Sequence, residues 1–391
     1  VSRCRAAVLG RPVGHSLSPV IHNAGFRAAG LTGWAYGAHE VDEAALPAFV
    51  AGLGTDWAGL SLTMPLKHAA LTIADEITDT ARLLGAANTL VRLDPAPGDA
   101  NTLVRLDPPP GDANTLVRLD PAPGDANTLA RLDPPPGDAT TDDATAGGAT
   151  VAGGERAAGG ERVAGGARWR ADNTDAPGLV DALRGVGVEA AKRVALLGAG
   201  GTARAAVWAA ARLGAAELVV YARRSAAVDE LRDVADRLGL PLIAAGWADA
   251  AGCADRADVV ISTVPAGAAD DLAGQVGWHG GVTVFDVLYH PWPTRLAAAA
   301  TAGGATVVGG LELLLAQAVH QFEQFTGVPA PIPAMRAALH DAAAARDTTS
   351  VRDTTSARGA DPARGASAAD GASTARGKSA ARDASSAGSD L

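Results

Sequence analysis

The chain has little cysteine, few aromatic residues, no basic excess and no long apolar run. Two cysteines in 391 residues, Cys4 and Cys253, lie far apart. They exclude a disulfide scaffold and form no metal spacing, so a reducing cytoplasm is the expected compartment. No histidine, cysteine and carboxylate set has a recognisable ligand spacing either, so no metal is expected. Aromatics make up 4% of the residues. With glycine and alanine abundant and whole stretches repetitive, the foldable length is smaller than the total. The formal net charge is -10, and the arginines are scattered among aspartates. That argues against nucleic acid, whose phosphates require clustered cations. No apolar stretch reaches membrane-span length, and the beginning of the chain lacks the basic-then-apolar plan of a signal peptide. A soluble, cytoplasmic protein follows as the expectation, with monomer and homodimer both open.

What is present is a βαβα rhythm. Residues 6–10, 34–41 and 58–63 read as strands, with helical patterns at 19–29 and 44–51. That order implies a mostly parallel sheet. A tandem repeat of 13 residues follows, Ala-Asn-Thr-Leu-Val-Arg-Leu-Asp-Pro-Xaa-Pro-Gly-Asp, with copies beginning at Ala87, Ala100, Ala113 and Ala126. Each copy offers one short apolar run and then two prolines. The expected state is a disordered or loosely turned insertion, with a small β-meander as the alternative. Ordered patterning resumes near Lys192 and fades near Ala345, beyond which an Ala/Ser/Gly/Arg/Asp tail should be disordered. The resulting division is 1–93, first part of a substrate domain; 94–167, repeat insertion; 168–189, return strand and linking helix. It continues with 190–307, a Rossmann-type domain; 308–345, C-terminal helices rejoining the first domain; and 346–391, the tail.

In the second half, residues 193–197 form a buried-strand pattern leading into Gly198-Ala199-Gly200-Gly201-Thr202-Ala203 and a helix. This strand, glycine turn and helix is the dinucleotide arrangement. Gly198 permits the tight turn, Gly200 lets backbone approach a pyrophosphate, and Ala203 allows close helix packing. The helix N-terminus supplies unpaired N–H groups to the phosphates. After the next strand, an NAD site would place an acid for the ribose 2′-hydroxyl. The chain has Arg223, Arg224 and Ser225 instead. Two guanidinium groups suit a 2′-phosphate, so NADP is the expected cofactor; the alternative is a solvated helix start. Thr263 and Val287 follow two further strands and point to the same crevice.

On the substrate side, Ser16 and Ser18 precede a helix beginning with Pro19. They read either as an ordinary cap pair or as two hydroxyls spaced for a small carboxylate. Lys67 follows the third strand and the Met64-Pro65 break, placed in the first turn of the next helix. A lysine held at such a junction can act as an acid or hydrogen-bond donor. His15, His68 and His290 flank these motifs without an assignable role.

Ser-Leu-Ser-Pro, Thr-x-Pro-x-Lys, Gly-Ala-x-Asn-Thr, Asn-Thr-Asp, Gly-Ala-Gly-Gly and a late Gln-Ala helix occur here in order. The set closely resembles shikimate dehydrogenases, NADPH-dependent enzymes of aromatic amino-acid biosynthesis, over about residues 5–92 and 168–342. The resemblance implies an α/β substrate domain, a doubly wound NADP domain and a site in the cleft between them. It implies reversible reduction of 3-dehydroshikimate to shikimate. Carried over by position, Ser16 and Ser18 would bind the substrate carboxylate, with Thr63 assisting. Lys67, Asn88 and Asp175 would surround the ring hydroxyls and the reacting carbon. Gln317 would close the pocket from the C-terminal helix, Tyr289 would contact the substrate or the nicotinamide, and Gly310 and Leu313 would lie near the nicotinamide. Lys67 and Asp175 would carry the chemistry, their opposite charges favouring both ionised forms. A helix N-cap is the plainer reading of Asp175.

The departures from the family pattern are specific. Ser61 stands where the family usually has Asn, so an amide contact is replaced by a hydroxyl or lost. Ala171 replaces a glycine, Ala222 a common Asn of the cofactor loop, and Leu313 a common Met. Ser61 keeps a quinate/shikimate dehydrogenase in play, and a non-catalytic NADP sensor is the alternative of a different class. Among the four Asn-Thr pairs, Asn88 is the expected site residue, because a helix end leads into it and residues 168–173 can return as its partner strand.

Overall fold

The structure, a computed structural model, describes residues 4–93 and 167–358. Residues 94–166 of the insertion and 359–391 of the tail lie outside the described residues; residues 346–358, expected to belong to a disordered tail, are helix instead. The chain divides after Ala342 into two units; in the second, the described part is helix through Arg358, past the point where sequence patterning fades.

The first sheet is built from β1 (Cys4–Gly10), α1 (Ser18–Ala28), β2 (Trp34–Glu40), α2 (Leu46–Ala51), β3 (Trp57–Leu62), α3 (Ala70–Ile73), β4 (Glu76–Ile77), α4 (Asp79–Leu84), β5 (Thr89–Arg92) and β6 (Trp169–Asp172). Its strand order is β2-β1-β3-β5-β6-β4. β2, β1 and β3 are parallel, whereas β5 runs antiparallel to β3 and β6. Alternation explains its two buried faces. In β1, Ala6 and Val8 join one core cluster with Ile21, Phe26 and Phe322, while Ala7 and Leu9 join another with Leu46, Leu60 and Leu66. β5 and β6 flank the insertion as a hairpin, closed by the Leu93 N–H donating to the Arg168 carbonyl at 2.9 Å.

The second sheet follows α5 (Asp175–Arg184). It comprises β7 (Arg193–Leu197), α6 (Gly201–Arg212), β8 (Glu217–Ala222), α7 (Ser225–Arg237), β9 (Leu242–Gly246), β10 (Val259–Ser262), α8 (Asp270–Ala273), β11 (Thr283–Asp286), α9 (Arg295–Ala302) and β12 (Thr306–Gly309). The order β12-β11-β10-β7-β8-β9 is parallel throughout. This is the doubly wound dinucleotide arrangement, and its switch point falls between β7 and β10. Val194, Leu196 and Ile261 pack to one side, Ala195, Leu197 and Val260 to the other.

Two helices complete the fold, α10 (Gly310–Thr326) and α11 (Ile332–Arg358). α10 begins directly after β12 and returns to the first sheet, where Leu315, Phe322 and Phe325 join the α1 core with Met335 and Leu339 of α11. One helix therefore touches both sheets, and its inward stripe lies where they meet.

Candidate active site

A cavity of about 320 Å³ lies where α10 passes between the sheets. Ser16, Ser18, Thr63, Lys67, Asn88, Asp175, Tyr289 and Gln317 all line it, as do Thr202, Val287, Gly310 and Leu313. Gly198, Ala199, Gly200, Gly201, Ala203, Arg223, Arg224, Ser225 and Thr263 do not; they belong to the nucleotide side. Gln321 also lines the cavity, although no sequence motif marks it. Yet Leu313, Gln317 and Gln321 follow a four-residue spacing, the helical signal that places side chains on one face. His15, given no role above, also lines the cavity.

Lys67 Nζ donates to Asp175 Oδ2 at 2.6 Å. Asn88 Nδ2 donates to the other carboxylate oxygen at 2.9 Å. The three residues come from the turn after β3, the N-terminus of α5 and the start of β5. Lys67 is not helical, contrary to expectation: residues 64–69 are turns and α3 begins at Ala70. The cause is a tertiary bond: the Lys67 carbonyl accepts from the Ala87 N–H at 2.8 Å instead of closing a helical turn. That bond also ties the lysine turn to the Asn88 segment.

Asp175 is the first residue of α5 but does not cap it. Asn173 Oδ1 accepts from the Asp175 and Ala176 N–H groups at 3.1 and 3.2 Å, satisfying the orphan donors of the first turn. The Asp175 carboxylate is left to Lys67 and Asn88. Asn88 is itself fixed, since its Oδ1 accepts from the Thr174 N–H at 2.8 Å and from Thr89 Oγ1 at 2.9 Å. Asn101, Asn114 and Asn127 lie outside the described residues. At α1, Ser16 Oγ accepts from the Ser18 N–H at 3.2 Å, and the cap position itself, Leu17, contributes no side-chain bond.

The loop after β11 carries Val287 and Tyr289. Asp286 anchors it, accepting from the Leu288 N–H at 3.2 Å and from Thr294 Oγ1 at 2.7 Å. Burial raises the Asp286 pKa, and those two hydrogen bonds oppose the rise. The loop packs so tightly on α10 that a Cβ at Gly310 would fall 2.1 Å from the Val287 carbonyl oxygen. Only glycine fits there.

On the nucleotide side, Gly198 follows β7 at φ +98, a conformation open to glycine. A Cβ at Gly200 or Gly201 would meet nothing within 4 Å, so backbone N–H groups at the start of α6 are approachable. Thr263 follows β10 beside this turn, its hydroxyl donating to the Leu197 carbonyl at 3.1 Å. Arg223, Arg224 and Ser225 are exposed just past β8. The residues fit a phosphorylated dinucleotide: an open glycine turn, a helix N-terminus and two unburied guanidinium groups.

A doubly wound sheet presenting such a turn beside an ion-paired polar cavity defines the class, a two-domain dinucleotide-dependent dehydrogenase. Residues 8–90 match the shikimate dehydrogenase substrate binding domain, and residues 310–340 the shikimate 5′-dehydrogenase C-terminal domain. The shikimate dehydrogenase (NADP(+)) of Methanothermobacter thermautotrophicus is 31% identical, over 85% of this chain and 94% of that protein. The structure of Mycobacterium tuberculosis shikimate dehydrogenase aligns with a TM-score of 0.63 at 36% identity, covering 86% of this chain and 99% of that one. Shikimate 5-dehydrogenase from Thermus thermophilus, solved in complex with NADP(H) and shikimate, aligns at 0.59 with 25% identity, over 87% and 99% of the two chains. The chain belongs to the shikimate dehydrogenase family.

Proposed function

We propose that this protein catalyses the reversible NADPH-dependent reduction of 3-dehydroshikimate to shikimate. The observation that carries the reading is the Lys67–Asp175–Asn88 constellation, set in a cavity that Val287, Gly310 and Leu313 also line. The Ser16 and Ser18 hydroxyls take the substrate carboxylate, with Thr63 beside them. When bound, NADPH supplies a hydride to the ring carbonyl carbon. Lys67 supplies the proton that the resulting alkoxide needs, and its ammonium stabilises the charge as it develops. Asp175 fixes the lysine and, with Asn88, receives ring hydroxyls. Gly198 to Ala203 hold the pyrophosphate at the start of α6, while Arg223, Arg224 and Ser225 hold the 2′-phosphate.

The test is NADPH absorbance, followed with shikimate and NADP and compared with quinate and with NAD. Higher kcat/KM for shikimate with NADP supports the reading. Preference for quinate moves the substrate assignment, and binding of NADPH without any turnover supports a sensor instead.

Two further outcomes are expected. Arg223→Ala combined with Arg224→Ala raises the KM for NADP by roughly 10- to 100-fold, from the loss of charge-assisted bonds, and leaves the KM for NAD nearly unchanged. Steady-state kinetics with both cofactors check this. Asn88→Ala lowers kcat/KM about 100-fold by loosening Asp175, whereas Asn101→Ala, Asn114→Ala and Asn127→Ala keep wild-type rates. An equal loss at Asn127 would assign the pocket wall to the fourth copy.

A further inference from the structure

Beneath Lys67 and Asp175 the cavity floor is closed by Ser61 of β3 and Gln321 of α10, both buried and both lining it. Behind them lies Tyr36, 4% exposed, against which the buried His22 ring stacks at 4.1 Å. Tyr36 Oη donates to Ser61 Oγ at 2.5 Å. Ser61 Oγ donates to Gln321 Oε1 at 2.6 Å. Gln321 Nε2 donates to Thr89 Oγ1 at 3.1 Å and to the Asn88 carbonyl at 3.3 Å.

The direction of these bonds is fixed by the inventory of protons. Burial raises the Tyr36 phenol pKa, so that group stays protonated and donates. His22, lowered to about 3 by burial, stays neutral. Reversing the Gln321 amide would set its oxygen against the Asn88 carbonyl, which already accepts from the Leu62 N–H at 2.7 Å. It would also draw the Thr89 Oγ1 proton away from Asn88 Oδ1, to which it is directed at 2.9 Å. Two acceptors would then oppose one another, so the orientation with Oε1 toward Ser61 holds. The protons of Tyr36, Ser61 and Gln321 are thereby consumed, and the one N–H of neutral His22 neighbours Gln321 from behind, since His22 does not line the cavity. What remains for the cavity is acceptor capacity on Ser61 Oγ and Gln321 Oε1.

We infer that Ser61 and Gln321 form an acceptor-only floor that selects a substrate hydroxyl by its proton, with Tyr36 as the residue that holds the polarity. The inference rests on the proposed shikimate reaction and adds residues to its site. The amide that the family pattern would place at position 61 is supplied from α10, with its oxygen rather than its NH2 turned toward the substrate. A ring hydroxyl directed at this floor must donate. A carboxylate, a carbonyl or a fluorine there meets lone pairs alone, so the floor also helps to orient the ring, carboxylate toward Ser16 and Ser18.

The test uses the full-length protein, shikimate, and analogues in which each ring hydroxyl other than the one oxidised is replaced in turn by fluorine, which accepts weakly and cannot donate. In the wild type, fluorine at one ring position should raise KM by about 10- to 100-fold with a smaller change in kcat, the cost of leaving buried acceptors unpaired. Ser61→Ala and Gln321→Met should each reduce that position-specific penalty to roughly threefold or less, as the opposing lone pairs are lost. Tyr36→Phe, which lets the Ser61 hydroxyl turn, should give an intermediate penalty. NADP affinity, measured on the same preparations, should stay at the wild-type value and so separates the effect from unfolding. Should Gln321→Met fail to fold, Ser61→Ala, which removes a single oxygen, decides the matter. Wild-type tolerance of fluorine at every position, or an unchanged penalty in Ser61→Ala, overturns the inference while leaving the reaction in place. Absence of any shikimate turnover by the wild type overturns the proposed reaction, and this inference with it.

Discussion

Lys67→Ala should lower kcat for shikimate oxidation by about 10²- to 10⁴-fold, with NADP affinity unchanged. The amine lies 2.6 Å from Asp175 and lines the cavity beside the loop and helix that face the cofactor crevice. Its removal leaves the reaction without the placed amine that takes the hydroxyl proton in oxidation and returns it in reduction, and without a fixed cation for the oxygen that gains charge. Arginine does not restore the function, because its planar fork does not fit a position tailored to one nitrogen and its proton is not readily given up. Single-turnover and steady-state rates, with NADP titration alongside, check the split. Turnover within threefold of wild type would refute the assigned role of the lysine.

Asp175→Asn should cost about 10²-fold or more in kcat/KM, although it preserves the shape of the side chain. The wild-type carboxylate accepts from Lys67 on one oxygen and from Asn88 Nδ2 on the other. An amide has one oxygen and one NH2. Whichever way it turns, its NH2 faces a donor, either the ammonium or the Asn88 amide. The lysine then swings away from its productive position. Because both changes disable one unit, Lys67→Ala/Asp175→Asn should be little worse than Lys67→Ala alone. A double variant whose losses multiply would show that the two side chains act separately.

Much of this site is legible in the sequence because its parts sit at breaks between elements, where few residue types are tolerated. The turn after β7 needs a glycine at positive φ, and the helix that follows announces itself by alanine packing. Lys67 and Asp175 are likewise found at strand-to-helix junctions. The placement of Lys67 in a helix fails because the competing bond to its carbonyl comes from Ala87, twenty positions along the chain, and no local pattern records it. Asp175 looks like a cap until Asn173 takes that task, a choice between neighbours that geometry alone makes. β9 is an edge strand with one buried residue, so it lacks the continuous burial that marks β3. Gln321 stays hidden for another reason. Its value depends on Ser61, 260 positions away, and on the exhaustion of all their protons by other groups.

The hairpin of β5 and β6 has a consequence for how this gene product can vary. Its two strands are paired from Thr89↔Asp172 to Arg92↔Trp169, and the Leu93–Arg168 bond clamps the mouth beyond them. A sequence inserted between those clamped ends leaves the pairing of the two strands in place. Loop-closure entropy adds only about 0.6 kcal/mol for each doubling of the excursion. Gain or loss of a thirteen-residue copy by replication slippage therefore leaves the catalytic architecture untouched, and the same port would accept a foreign cargo domain whose own termini lie close together.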